Sequence, residues 1–161
     1  MTGTRRNRPG LDEKRVLRGA ARFYAVQALF QMEASDVPIG TIMREFEAHR
    51  IGAETEDETW AEADLNHFRR LVDTAVDRQA RIDQMTDRAL VAKWPIDRID
   101  PTLRALFRAA GAELLGAQTP ARVVISQFVE IASAFFPGGR ESSFVNAVLD
   151  HMARAARPED F

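Results

Sequence analysis

The chain has 161 residues, of which 45% are apolar and 29% are charged, proportions that are typical of one globular domain and exclude a disordered chain. It has no cysteine, which excludes disulfide bonds and thiolate metal sites. The sequence shows neither an apolar run long enough to cross a bilayer nor the apolar segment of a signal peptide. We therefore expect a cytoplasmic protein without a membrane partner.

Charge is distributed unevenly along the chain, although the formal net charge is only −2. Residues 1–22 hold seven basic side chains and two acidic ones, whereas residues 33–68 hold ten acidic side chains and two arginines. This asymmetry favours a polyanion as the partner of the basic end. The alternative is a solvated basic tail followed by a solvated acidic loop.

The first predicted elements are a basic arm and a long helix. Residues 1–10 are predicted to form a flexible arm, because Pro9-Gly10 breaks any helix there. The helix is predicted over residues 14–32, which contain no proline and many good helix formers. Residues 11–157 are predicted to form one helical domain.

The two halves of this first helix have different surfaces. At about 100° per residue, Arg15, Arg18 and Arg22 share one arc, and Val16 and Leu17 belong to an apolar stripe on the opposite side. Beyond Arg22 the helix is apolar nearly all round, which predicts burial. We therefore expect a basic surface on its first half and a core strut in its second half.

The rest of the chain also follows a helical pattern. Helices are predicted at residues 38–49, 64–93 with a break near 79, 100–115, 121–136 and 142–154, and residues 51–63 are predicted to form an acidic loop. Asp100-Pro101 is a strong start signal, because an N-cap side chain is followed by proline at the first helical position. No alternating strand pattern appears, so the expected fold is all-α: a compact single-domain bundle of about seven helices.

The sequence contains little that resembles a catalytic or metal site. His49, His67 and His151 are far apart and have no cysteine beside them, so we expect surface or capping histidines rather than a zinc site. No phosphate-binding loop and no nucleophile motif is present. We therefore expect a protein that is not an enzyme and that has no cofactor.

Two features remain as candidates for ligand binding. The arginine forks of the first helix suit phosphate groups, and the basic arm could fold onto a ligand. Phe144 lies at the edge of the apolar arc of the last helix, with Asn146 on the polar side. Phe144 is open to two interpretations, a core residue or a stacking platform for an unpaired base. Together these features favour single-stranded nucleic acid over a duplex.

Four motifs resemble one known family. They are Ala-Val-Gln-Ala-Leu-Phe at 25–30, Thr-Pro-Ala-Arg-Val-Val-Ile at 119–125, Phe-Val-Glu-Ile-Ala at 128–132 and Phe-Val-Asn-Ala-Val-Leu-Asp at 144–150. In this order they resemble the NusB family of bacterial transcription antitermination factors. The resemblance spans nearly the whole chain and agrees with the all-helical prediction.

The resemblance implies an RNA-binding factor without catalytic activity. It would bind the single-stranded boxA element of ribosomal RNA leaders together with the ribosomal protein NusE, within an antitermination complex with RNA polymerase. Family motifs would assign RNA contacts to Arg22, Gln27, Phe144 and Asn146, with the last two as the second wall of the arginine site. Arg5, Arg6, Arg8 and Arg18 fit by basic character, and Phe30 is the candidate residue for the partner surface.

The chain departs from the family pattern at three places, and alternatives stay open. Ala147 replaces a glycine, Ser126-Gln127 replaces Asn-Glu, and Gly19 and Ala20 thin the arginine cluster, so a diverged paralogue is one interpretation. The domain also resembles the N-terminal part of some ribosomal RNA cytosine methyltransferases, but without cysteine we expect no such activity. A helical adaptor that binds protein rather than RNA is the other alternative, and homodimer formation is left open.

Overall fold

The computed structural model describes residues 10–56, 59–90 and 95–161. Within these ranges the chain forms seven α-helices and a short C-terminal 3-10 turn. In chain order they are α1 (Leu11–Ala34), α2 (Ile39–His49), α3 (Leu65–Asp77), α4 (Gln79–Ala89), α5 (Pro101–Gly116), α6 (Ala121–Phe135), α7 (Arg140–Ala156) and the turn Pro158–Asp160. The predicted all-α fold is confirmed. None of the described helices is long and apolar enough to span a bilayer.

Local capping signals explain where several helices begin. The Asp64 carboxylate accepts a hydrogen bond from the His67 backbone N–H at 3.0 Å and starts α3. The Asp100 carboxylate likewise caps α5 through the Thr102 N–H at 2.7 Å, with Pro101 at the first turn. These caps satisfy donors that have no partner within the helix. The predicted start of α5 is therefore confirmed. The break predicted near residue 79 is confirmed as well, because α3 ends at Asp77 and α4 begins at Gln79. The predicted continuation to residue 93 is wrong at Leu90, since α4 ends at Ala89, and residues 91–94 lie outside the described residues.

Helix α5 is the centre of the bundle and packs against α1, α3, α4, α6 and α7. Eleven of its 16 residues are buried. Two of its glycines permit close approach of neighbours: a Cβ at Gly111 would overlap with Ile82 of α4, and one at Gly116 would lie 2.9 Å from Thr74 of α3. Small residues on α5 thus set the spacing of the helices around it.

Helix α1 is exposed at its beginning and buried further along. Residues 11–16 are all exposed, and Val16 retains 68% of its accessible surface, so its predicted place in an apolar stripe against the core is wrong. The first turns of α1 extend beyond the helices that cover the rest of it. By contrast, Ala25, Val26 and Leu29 are buried, which confirms the prediction for the second half.

Candidate nucleic-acid interface

An open groove of about 1010 Å³ lies between the first half of α1, the start of α3 and the loop that joins α5 to α6. Its lining comprises four arginines (Arg15, Arg18, Arg22 and Arg70) together with His67, Gly116, Ala117, Gln118, Thr119, Pro120, Val123, Ser126 and Gln127. We call it the arginine groove. No carboxylate is among these described lining residues, so the groove presents a positive surface that suits an anion.

Arg22 forms the floor of this groove and is not a surface residue. Only 3% of it is exposed, and its guanidinium forms a two-pronged ion pair with the Glu113 carboxylate of α5, at 2.7 and 2.9 Å. A third nitrogen donates to the Gln127 Oε1 of α6 at 3.2 Å. The expectation that Arg22 shares an exposed face with Arg15 and Arg18 is therefore wrong, because the bundle closes over α1 at this turn.

Glu113 is the buried anion that holds this arrangement together. Its carboxylate is fully buried and also lies 3.4 Å from the Nε2 of His67. Burial alone would raise the pKa of the Glu113 carboxyl, but the hydrogen bonds and the charge of Arg22, together with the nearby side chains of His67 and Thr119, lower it from 4.5 to about 2. The expectation that His67 is a surface or capping histidine is thus wrong.

The arginines that remain available to a ligand lie on the rim of the groove. Arg15 is mostly exposed and lies 4.0 Å from Asp12, while Arg18 is half-exposed and lies 3.9 Å from Asp64. These long, solvated ion pairs contribute little to stability and leave both guanidinium groups accessible. Arg70 of α3 is also exposed and was missed by the sequence reasoning. The wheel position of Arg70, opposite the buried stripe of α3, is the signal that could have found it.

Gln27 and Phe30 line a separate pocket farther along α1. This Phe30 pocket has a volume of about 400 Å³ and is lined by Val26, Gln27, Phe30, Gln31, Ala34, Ser35, Arg50, Thr102 and Phe135. Phe30 is 39% exposed there. Within the part of the chain that the structure describes, the buried Gln27 Oε1 has no hydrogen-bond partner. The structure therefore places Gln27 with the candidate partner residue and outside the arginine groove.

Phe144 and Asn146 form a third location, on the first half of α7. Phe144 is half-buried and contacts Phe107 of α5 edge to face, with ring centroids 6.2 Å apart. Asn146 is exposed. Their predicted positions at the edge and on the polar side of the helix are confirmed. However, neither residue lines the arginine groove, so they do not form its second wall.

The candidate residues Arg5, Arg6 and Arg8 of the basic arm lie outside the described residues. The first described residue is Gly10, immediately before α1. Of the nine candidate site residues, the structure thus describes Arg18, Arg22, Gln27, Phe30, Phe144 and Asn146, distributed over the three locations above. Only Arg18 and Arg22 lie together in the arginine groove.

Comparison with known proteins identifies the family. The sequence model of the NusB family matches residues 19–154. This chain belongs to the NusB family. The transcription antitermination protein NusB of Maricaulis maris is 47% identical over 146 residues, which is 90% of this chain and 91% of that protein. The protein of the same name from Bradyrhizobium diazoefficiens is 41% identical over 163 residues, covering 100% of this chain and 98% of that protein.

Solved NusB structures share the fold. T. maritima NusB aligns with a TM-score of 0.70 at 29% identity, covering 89% of this chain and 96% of that one. A structure of the antitermination factors NusB and NusE in complex with dsRNA aligns with a TM-score of 0.68 at 26% identity, covering 87% of this chain and 98% of that one. The resemblance drawn from the four sequence motifs is confirmed. Family membership also agrees with the expectation of a regulatory protein rather than an enzyme.

Proposed function

We propose that this NusB-family protein binds single-stranded boxA-type RNA of ribosomal RNA leaders together with the ribosomal protein NusE, and so promotes processive transcription of ribosomal RNA. The observation that carries this proposal is the arginine groove, with three accessible guanidinium groups and no lining carboxylate. A nascent transcript is a cytoplasmic target in bacteria, which agrees with the location expected from the sequence. RNA polymerase would join through the same assembly.

The groove suits a phosphate backbone for electrostatic and geometric reasons. Arg15, Arg18 and Arg70 approach it from two helices, so that phosphates along a strand can pair with successive guanidinium forks. Arg22 is committed to Glu113 and contributes the fixed floor rather than a mobile contact. The basic arm, with Arg5, Arg6 and Arg8, precedes α1 in the chain and would add charge at the same end.

The Phe30 pocket is the proposed surface for the protein partner. Its wall combines aromatic and aliphatic side chains with neutral polar ones and a single arginine, Arg50. Aromatic residues and arginine are enriched at protein interfaces, so this composition suits a protein partner. The unpaired Gln27 Oε1 could accept a hydrogen bond from a partner that enters the pocket. A solved structure contains NusB and NusE in complex with dsRNA, which supports one assembly that holds both a protein partner and RNA.

We also propose that Phe144 and Asn146 form a second RNA contact, separate from the arginine groove. The face of Phe144 that does not contact the core could stack on an unpaired base, and the exposed Asn146 amide could hydrogen-bond to a base edge. In this proposal the groove supplies electrostatic affinity, and α7 supplies base contacts.

The test is a fluorescence anisotropy titration of labelled boxA-type RNA with the protein, with and without NusE. We expect weak binding alone, tighter binding with NusE and a log–log salt slope of about −0.7 per phosphate contact. Arg18→Gln and Arg70→Gln should each lower affinity and make the slope shallower by about 0.7. Arg88→Gln on the exposed side of α4 is the matched control and should change neither quantity.

The same titration distinguishes the proposed function from the alternative, a helical adaptor that binds only protein. Absence of RNA binding at low salt, with NusE binding intact, would favour that adaptor and leave the Phe30 pocket as the main functional site. A sedimentation velocity measurement of the free protein would show whether a homodimer forms at the concentrations used.

A further inference from the structure

The C-terminal turn contacts the wall of the arginine groove from behind. The guanidinium of Arg157, the residue after α7, donates to the carbonyl oxygens of Leu114 at 2.7 Å and Glu113 at 3.1 Å at the end of α5. It also donates to the carbonyls of Ala117 at 2.5 Å and Thr119 at 2.6 Å, within the α5–α6 loop. One side chain, only 12% exposed, thus binds four carbonyls, and two of these belong to groove-lining residues, Ala117 and Thr119.

Asp160 binds the other end of the α5–α6 loop, where α6 begins. Its carboxylate accepts a hydrogen bond from the Ala121 backbone N–H, the first residue of α6, at 3.0 Å, and lies 3.5 Å from Arg157. Arg157 therefore binds the carbonyl end of α5, while Asp160 binds the amide end of α6. Each charge has the sign that the helix end favours. We call this pair the C-terminal clamp.

The clamp is connected to the floor of the groove through the end of α5. Arg157 donates to the backbone carbonyl of Glu113, and the side-chain carboxylate of the same residue binds Arg22. Loss of the clamp would therefore disturb both the wall of the groove and its floor.

The clamp also affects the charge that a ligand in the groove meets. The carbonyl end of a helix carries a partial negative charge, and α5 ends at Gly116, which lines the groove. Without a cation at this end, those carbonyls would repel a phosphate strand. The Arg157 guanidinium offsets that partial charge from behind the loop and does not occupy the groove itself.

We infer that Arg157 and Asp160 are positioning residues for RNA binding: they hold the α5–α6 loop as the wall of the arginine groove and shield the carbonyl end of α5. This inference rests on the proposed function. The two residues act through the loop and are not themselves RNA contacts.

The experiment compares four variants of the full chain in three measurements. The variants are Arg157→Gln, Arg157→Lys, Asp160→Asn and the control Arg88→Gln, which removes the same charge from the exposed side of α4. The measurements are amide hydrogen exchange over residues 117–121, anisotropy with boxA-type RNA, and binding of NusE. NusE binding reports on the Phe30 pocket, which the clamp does not contact.

We expect Arg157→Gln to speed exchange of the loop amides and to weaken RNA binding about tenfold, while NusE binding stays at the wild-type level. Arg157→Lys should recover part of the RNA affinity because it keeps the charge without the fork. Asp160→Asn should speed exchange chiefly at Ala121, since it weakens the acceptor for that N–H. Arg88→Gln should match the wild type in all three measurements.

Three outcomes would overturn the inference. The first is loop exchange and RNA affinity in Arg157→Gln equal to those of Arg88→Gln. The second is an equal loss of RNA and NusE binding, which would indicate global destabilisation. The third is no recovery of RNA affinity with Arg157→Lys.

If Arg157→Gln does not fold, Asp160→Asn tests the inference in its place, because that variant retains the arginine. If the wild type binds no RNA, the proposed function fails, and unchanged loop exchange in the variants would then refute the clamp independently.

Discussion

Replacement of Arg22 by alanine should strongly destabilise the protein. The guanidinium and its partner carboxylate on Glu113 are both buried, and two hydrogen bonds join them. Removing one member of such a pair leaves a buried charge without compensation, which typically costs about 3–5 kcal/mol. Domains of this size have a total stability of about 5–15 kcal/mol. The variant should therefore lose a large share of its free energy of unfolding.

The loss is measurable by thermal and urea denaturation followed by circular dichroism at pH 7. For chains of about 150–250 residues, each kcal/mol shifts the melting temperature by about 2–4 °C, so a decrease of roughly 6–20 °C is expected. Arg15→Ala is the control on the same helix: its side chain is 81% exposed, and its stability should stay within about 0.5 kcal/mol of the wild type.

A double variant separates the charge from the packing. Arg22→Met combined with Glu113→Leu removes both charges and should be considerably more stable than Arg22→Ala, because neither buried group is then left unpaired. If Arg22→Ala unfolds at the same temperature as Arg15→Ala, Arg22 is not part of a buried ion pair in solution. The assignment of Arg22 as the floor of the groove would then be wrong.

Three further predictions follow from other contacts. The pKa of Glu113 is lowered from 4.5 to about 2, so its ionised form should add about 3 kcal/mol to the free energy of unfolding above pH 4.5. This contribution is lost as the pH falls toward 2. Glu113→Gln should therefore flatten that part of a plot of unfolding free energy against pH. Phe144→Ala should lower the free energy of unfolding, measured by urea denaturation, by about 2 kcal/mol, which is less than the ~3–5 kcal/mol of a fully buried ring. It should also weaken RNA binding if the exposed face of the ring stacks on a base. Gly111→Ala should cost about 1–3 kcal/mol by the same assay, because the added methyl group overlaps with Ile82; an unchanged midpoint would contradict the close packing of α4 on α5.

The positions of the helices could be predicted from the sequence because the signals that start and end a helix are local. Asp100 and Pro101 lie next to the helix that they begin, and the caps observed in the structure use those side chains. Helical periodicity likewise predicted the apolar and polar sides of α7, since each side is a property of one helix. The same reasoning placed Phe144 at an edge, where the structure finds it half-buried.

The site was less predictable because its residues meet only through tertiary packing. Arg22 and Glu113 are 91 positions apart in the chain, and a helical wheel of α1 gives the guanidinium of Arg22 the same direction as that of the exposed Arg18. One signal was available: Glu113 is a charged residue within an otherwise apolar stretch of α5, and a buried carboxylate requires a cationic partner. The contribution of Arg157 to the loop had no comparable signal in the sequence.

Helix α1 supplies residues to the two surfaces that we propose as ligand sites, and the buried pair at Arg22 separates them. Arg18 lines the arginine groove. Phe30 lines the Phe30 pocket, twelve residues and about 18 Å farther along the same helix. Between them Arg22 ties the helix to α5 and α6, which fixes the rotation of both ends. A protein seated in the Phe30 pocket can therefore extend an RNA-binding surface without entering the groove. Tighter RNA binding in its presence would then come from added contacts, because the groove is already held in place by Glu113.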